Sequence, residues 1–262
     1  VKLVFVTLFP AMLEGPLQAS ILGRAAQQGL VDASFVQIRD HATDRHRTVD
    51  DTPYGGGQGM VLRPVELGAA TLEARARCPG APVILLSPQG SPLRQTDVRK
   101  LATLPGLVMV CGRYEGVDER WVDAHVDIEI SLGDFVLTGG ELPALCLADA
   151  VVRLLPGVLG HPGSVVDESF SLPRLEHPQF TRPAEWGGLP VPAVLTSGDH
   201  GRVGRWRLAQ AAARTGARRP DLLEAAPLSA DERAALREFG EDAGRWSRPR
   251  TVDGWFAHPL RG

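Results

Sequence analysis

The chain has 262 residues, 44% of them hydrophobic, and a formal net charge of −3. That length allows one large domain or two modest ones with a real core, and no run is apolar enough to span a bilayer. A slightly acidic chain has no global attraction for nucleic acid, so a partner of that kind needs a local basic patch.

The first strand is expected over residues 2–7, KLVFVT, and a helix over 11–28 closed by Gly29. A second strand follows at 33–38. Residues 39–60 carry little periodicity and form a long polar loop, a feature that in compact domains is usually functional. A helix over 65–77 precedes the apolar run APVILLSPQG, read as a strand buried on both faces and broken at Ser87-Pro88. A helix over 95–101, a strand at 107–112, a helix in VDERWVDAH and a strand at 126–130 continue the alternation. Repeated β then α units predict an α/β fold with a largely parallel sheet covered by helices.

After a loop at 131–143, a helix over 144–155 stops at Pro156-Gly157. The composition then shifts to Pro, Gly, Ser and His as far as 196, which reads as a linker or mobile loop. Helices return at 202–213, 221–225 and 229–244. The expected organisation is therefore a domain over 1–160, a linker over 161–197 and a small helical domain over 198–262.

Cys78, Cys111 and Cys146 are an odd number at wide spacing, so they define neither a disulfide framework nor a CxxC zinc site, and buried thiols are expected. The amino-terminal VKLVFVTLFP lacks the basic flank and cleavage site of a signal peptide, which makes the cytoplasm the expected compartment.

Two glycine-bounded loops point to one site. In SLGDFVLTGGELP, Gly133, Gly139 and Gly140 permit φ > 0 or close backbone approach, while Leu132, Phe135 and Leu137 supply apolar walls. Taken alone, the stretch is equally a turn into a helix, with Glu141 at the positive N-terminal end and Pro143 in the first turn. CGRYEGVDER is a second such loop after an apolar strand, and ligands in open α/β sheets sit beyond the carboxyl ends of strands.

Three further groups could carry chemistry. The 39–60 loop holds Asp44-Arg45-His46-Arg47, Asp50-Asp51 and Tyr54-Gly55-Gly56-Gly57, suited to phosphate and base edges or simply solvated. GRVGRWRLAQAAARTGARRP carries six arginines and no acid, with Val203, Trp206, Gln210 and Ala213 on one helical face, so Trp206 is expected in the core and the arginines beside it. All but two of the basic residues in the chain are arginine, however, which inflates such clusters. Asp167, Glu168 and Arg153 form a candidate acid-base set, because a carboxylate in a mobile segment can close over a substrate and be desolvated there. No GxSxG, HExxH or GxGxxG is present, which removes serine hydrolase, zinc protease and ordinary dinucleotide-binding readings.

With DRHRTVDDTPYGGGQGM, SPQG, CGRYEGVDER, SLGDFVLTGGELP, PGVLGHP and GRWRLAQ in this order, the chain closely resembles the bacterial tRNA (guanosine-37 N1) methyltransferases, the TrmD family. The resemblance covers nearly the whole length. It implies an S-adenosylmethionine-dependent enzyme of the SPOUT superfamily, homodimeric, with a deep trefoil knot and a need for magnesium, although no ligand set for a metal can be chosen. By similarity the donor is held by Leu85, Leu86, Ser87 and Pro88, by Gly112, Tyr114 and Glu115, and by Leu132, Gly133, Asp134, Phe135, Val136, Leu137, Gly139, Gly140 and Pro143. The tRNA anticodon arm is met by His46, Asp50, Tyr54 and Gly57 and by Arg202, Arg205, Arg207 and Arg214.

One departure concerns the catalytic base. The family has aspartate directly before a Ser-Phe pair, where this chain has Glu168 with Asp167 before it. Position favours Glu168, and a one-residue shift would bring in Asp167. Arg153 is implied to stabilise charge on the target guanine. A SPOUT enzyme acting elsewhere on RNA and a non-catalytic RNA-binding protein remain open at this stage.

Overall fold

In the computed structural model residues 1–160 and 168–252 are described. The chain divides into two compact units, Val1–Pro162 and Gly163–Gly262.

The first unit is built on five parallel strands: β1 (Lys2–Thr7), β2 (Asp32–Gln37), β5 (Val83–Pro92), β6 (Gly106–Cys111) and β7 (Ile128–Ser131), in the order β2-β1-β6-β5-β7. Alternate residues of β1 serve opposite faces: Leu3 and Phe5 join one core cluster, Val4 and Val6 the other. Burial on both faces is why these strands are continuously apolar rather than alternating. Helices α1 (Ala11–Leu17), α2 (Ser20–Gln27), α4 (Gln95–Leu101) and α6 (Glu141–Val152) supply residues to the first cluster; α3 (Pro64–Arg77) and α5 (Glu119–His125) supply the second.

Several local expectations change. The single helix expected over 11–28 is two, because Pro16 lies in the last turn of α1 and Ser20 takes φ 52°, and proline both lacks a donor and crowds the preceding turn. The polar loop of 39–60 contains a 3₁₀ turn, Ile38–His41, and is closed by a short antiparallel ladder, β3 (Asp50–Asp51) with β4 (Val61–Leu62). β5 does not end at Ser87-Pro88. Its pairing with β7 shifts register after Leu86 and resumes at Ser91, so the intervening residues leave the ladder as a bulge. α6 starts at Glu141 rather than 144, its first turn closed by Ala144 N–H donating to Gly140 O at 2.9 Å. Cys78 and Cys111 are buried, but Cys146 lies on the exposed side of α6, so the expectation of three buried thiols fails there.

The second unit contains α7 (His200–Arg218), α8 (Pro220–Ala225) and α9 (Ala230–Ser247), preceded by a small hairpin of β8 (Glu185–Trp186) and β9 (Leu189–Pro190) and a 3₁₀ turn, Ala193–Thr196. Its core is Trp206, Ala209, Ala235 and Phe239, with Phe180 packed against them and edge-on to Trp246 at 5.0 Å. The described part of the expected linker thus contributes core and hairpin to this unit. Among the described residues no helix is long and apolar enough to cross a membrane.

An ion pair anchors the unit. Arg174 Nε donates to Glu232 Oε1 at 2.7 Å and its other nitrogens to Glu232 Oε2 and the carbonyls of Pro173, Ala226 and Pro227. Glu232 also closes a capping box with Ser229. Burial pushes the Glu232 carboxyl up, but hydrogen bonds from Arg174 and Ser229 outweigh it and hold it below its usual value. A carboxyl depressed on folding adds stability above its unfolded pKa and loses it as pH falls through the folded one. Glu232→Gln is expected to lower unfolding free energy at pH 7 by about 3–5 kcal/mol, the cost of breaking a buried pair, and to flatten the loss of stability below pH ~4.5. Urea denaturation at pH 7 and pH 3.5 checks both.

Candidate functional site

The bulge of β5 and the carboxyl ends of β6 and β7 lie on one edge of the sheet, and with the loops that leave β6 and β7 they enclose a cleft of about 280 Å³. Parallel strands make this convergence unavoidable, since every strand ends on the same side. The first wall is Leu85–Gln89, the second Gly112–Val117, the third Glu129–Gly133 with Phe135–Gly140, and Pro143 of α6 completes it.

The third loop is fastened to the second by backbone. Gly140 N–H donates to Gly112 O at 2.9 Å, and Arg113 forms an antiparallel bridge with Gly139. The approach is so close that a Cβ on Gly140 would lie 2.7 Å from Cys111 Cα, a separation real side chains do not adopt. Gly112 differs: a Cβ there meets nothing nearer than 3.9 Å. The second loop is backed by the end of the long polar segment, with Glu115 N–H donating to Met60 O at 3.0 Å and Leu62 N–H to Gly116 O at 3.0 Å.

Beneath the walls lies a buried polar group. Glu141, at the start of α6, is 0% exposed. Thr7 Oγ1 donates to its Oε1 at 2.7 Å, and Arg113 Nε donates to its Oε2 at 2.9 Å, with Nη2 of the same guanidinium 2.8 Å from Oε2 in an ion pair and donating to Met12 Sδ. Arg113 Nη1 also reaches Thr138 O at 3.1 Å, and the guanidinium sits 4.5 Å over the Phe9 ring. Burial, and then the neighbouring Glu141 charge, push the Cys111 thiol well above its usual range, which keeps it protonated and inert. With Arg113 matched by Glu141, the remaining charged wall residues are Glu115, Glu119 and Glu129. The cleft is therefore acidic and suits a cation.

Of the residues expected at a ligand, Leu85, Leu86, Ser87, Pro88, Gly112, Tyr114, Glu115, Leu132, Gly133, Phe135, Val136, Leu137, Gly139, Gly140 and Pro143 are all on these walls. Asp134 is not. It sits at the apex of a tight turn, Phe135 N–H donating to Gly133 O at 2.9 Å, and is exposed. The Thr7–Glu141–Arg113 group was not anticipated as part of a site. Its only sequence trace is a carboxylate directly after Gly139-Gly140, which helix-end electrostatics explains equally well.

Arg153 caps the C-terminal end of α6. Glu168 is half-buried in the second unit and its carbonyl accepts from Ser171 N–H at 3.0 Å; Asp167 lies outside the described residues. In the polar loop, Tyr54 is 100% exposed and Gly57 has φ 129°. His46 is exposed on a turn capped by Asp44, whose carboxyl is held low chiefly by hydrogen bonds from Thr48, and Asp50 is half-buried in β3. On α7, Arg202 and Arg207 are exposed. Arg205 is paired with Glu238 at 2.8 Å, and half-buried Arg214 donates to Trp246 O. Burial, and then neighbouring Arg218, lower the Arg214 pKa.

The chain is similar to known proteins over most of its length. The family model described as tRNA (Guanine-1)-methyltransferase TrmD matches residues 1–225. A tRNA (guanine-N(1)-)-methyltransferase of Chloroflexus aggregans is 53% identical over 248 residues, covering 92% of this chain and 97% of the relative. The protein of that name from Geobacter metallireducens is 53% identical over 245 residues, 93% of this chain and 100% of the relative. One from Anaeromyxobacter sp. (strain Fw109-5) is 55% identical over 238 residues, 90% and 95%.

Gly140 and Gly112 give a paired test of the backbone contact. Gly140→Ala forces the two loops apart and is expected to cost about 1–3 kcal/mol, as overpacking does. Gly112→Ala has room and is expected to stay within ~0.5 kcal/mol of the parent. Thermal or urea unfolding of the two variants checks the contrast.

Proposed function

The chain belongs to the tRNA (guanine-1)-methyltransferase family TrmD, and from that membership we propose how its residues divide the work. The enzyme transfers a methyl group from S-adenosylmethionine to N1 of the guanosine 3′ of the tRNA anticodon, position 37. The observation that carries the site assignment is the convergence of three strand-end loops on one acidic cleft. We take that cleft as the donor site.

The residues present fit the donor. Gly112 leaves free space beside its backbone, apolar side chains of Leu85, Leu86, Val117 and Leu137 line the walls, and Glu115, Glu119 and Glu129 oppose positive charge. Backbone groups with apolar walls suit a flat heterocycle, and carboxylates suit a sulfonium. Bound there, S-adenosylmethionine supplies the sulfonium methyl that passes to guanine N1, the sulfur keeping the bonding pair.

For the proton, Glu168 is the acceptor: it takes the N1 hydrogen, and Asp167 is the alternative one residue earlier. Arg153 faces the negative charge that builds on O6 of the purine. The turn that follows Glu168 is ordered by its own chain, with Phe170 N–H donating to Arg174 O at 2.8 Å and Glu176 N–H to Ser169 Oγ at 3.0 Å. It therefore presents the carboxylate from a fixed turn rather than a free strand.

The remaining features of the family are proposals with separate support. The chain leaves β7 at the sheet edge and next pairs beyond the end of β6, with β5 lying between them, a path that supports trefoil threading. Phe9, Met12, Val136 and Leu142 are exposed apolar residues around the cleft, Val136 at 84%, which supports a second subunit covering them. The Tyr54 loop and the exposed Arg202 and Arg207 support phosphate and base contacts to tRNA. Among the described residues no group of three or more His, Cys, Asp or Glu is gathered to hold a metal. A protein-built magnesium cage does not fit them.

Two experiments test the reading. Alanine at Glu168 is expected to slow single-turnover methylation by about 10²–10⁴-fold, the range for losing a general base, with donor affinity unchanged; a full effect at Asp167 and none at Glu168 would transfer the role. Leu142→Asp is expected to shift the protein to a monomer in sedimentation velocity with loss of methylation, and an unaltered sedimentation coefficient for a dimer would remove that face from the interface.

A further inference from the structure

We propose that Glu141 is a positioning residue for methyl transfer: its buried carboxylate ties Thr7 of β1 to Arg113 and so sets the separation of two walls of the cleft. The proposal rests on the reading of the cleft as the donor site and goes beyond it, because Glu141 is not on the wall.

The geometry is over-determined. Glu141 Oε1 takes the Thr7 hydroxyl proton at 2.7 Å, and that hydroxyl is aimed because its oxygen also accepts from Phe9 N–H at 2.9 Å. Glu141 Oε2 accepts from Arg113 Nε at 2.9 Å and pairs with Nη2 at 2.8 Å, while Nη2 donates to Met12 Sδ. The third guanidinium nitrogen, Nη1, is spent on Thr138 O at 3.1 Å, and the Phe9 ring covers the face at 4.5 Å. One carboxylate thus joins the end of β1, the loop after β6 and the loop after β7. Two of those segments are cleft walls.

A buried ion pair is weak evidence for net stability, since well-packed apolar residues serve a fold as well. What the pair adds is direction: a guanidinium held at Nε by Glu141 and at Nη1 by Thr138 O is fixed in both distance and orientation. Methyl transfer needs donor and acceptor in a near-attack arrangement, where a misplacement of about 1 Å costs on the order of 10²-fold. A residue that sets wall separation acts on that term without touching either substrate.

The test uses the full-length enzyme and variants Glu141→Gln, Thr7→Val and Thr7→Ser, with S-adenosylmethionine affinity by calorimetry, single-turnover methylation of a tRNA transcript at saturating donor, and melting temperature. Rates are read well below melting, where a merely structural role would leave the folded enzyme at full rate. Glu141→Gln is expected to slow the single-turnover step by about 10²-fold. Thr7→Val is expected to slow it by about 10-fold, as losing one aimed contact does, and Thr7→Ser to restore the parental rate. Variants that methylate at the parental rate overturn the proposal. If Glu141→Gln does not fold, the Thr7 pair decides, and equal rates for Val and Ser overturn it. A parent enzyme that binds donor while the variants are unmoved sinks positioning alone; a parent that binds none sinks the reading of the cleft as well.

Discussion

The passage of residues 138–140 across the end of β6 is the contact on which the cleft depends. In the order β2-β1-β6-β5-β7 the last strand is separated from β6 by β5, so the chain must cross the end of β5 before it can enter α6. Gly140 donates to Gly112 O through a direct backbone hydrogen bond, and a Cβ at 140 would clash with the backbone of Cys111, so the crossing there takes only glycine. The space bounded by that crossing, the end of β5 and the loop after β6 is the cleft. Move the crossing outward by the width of a methyl group and the walls no longer face each other.

Charge is arranged on the same plan. The formal charge of −3 averages over very different surfaces. Around the cleft Arg113 is paired with Glu141, leaving Glu115, Glu119 and Glu129 as the other charged residues of the wall. On α7 Arg202 and Arg207 remain exposed, while Arg205 is held by Glu238 and Arg214 is turned half inward. The acidic cleft and the exposed arginines of α7 make opposite local fields, and a near-neutral total is their sum.

Much of this was legible in the sequence, and most of the failures share a cause. The strands were readable because parallel strands covered on both sides are continuously apolar, and the cleft loops because glycines clustered where strands had to end. Trp206 was readable as core from helical spacing and is fully buried. Most of what was missed depends on partners far away along the chain. Thr7 and Glu141 are 134 residues apart, and Arg205 meets Glu238 from 33 residues away, so a run of arginines without local acids still has an acid beside it. Residues 168–197 looked like a linker because their order comes from tertiary contacts, Arg174 to Glu232 and Phe180 to Trp206 and Trp246, rather than from periodicity. Asp134 was assigned with its neighbours because a one-residue reversal within a loop leaves no pattern to read.

The two units are each held by an anchor of their own. In the first it is a carboxylate accepting from Thr7 and Arg113; in the second, a carboxylate accepting from Arg174 and closing the Ser229 cap. Both anchors use a buried glutamate at the first turn of a helix, where the positive end of the helix dipole offsets part of the cost of removing the charge from water. The consequences differ with what each anchor touches. Around Glu232 the partners are Ser229 of the cap and Arg174, which in turn donates to the carbonyls of Ala226 and Pro227, so its loss is felt as stability. Around Glu141 two of the three segments are walls of the cleft, so its loss is felt first as geometry, and a cleft can lose its register while the sheet beneath it stays folded.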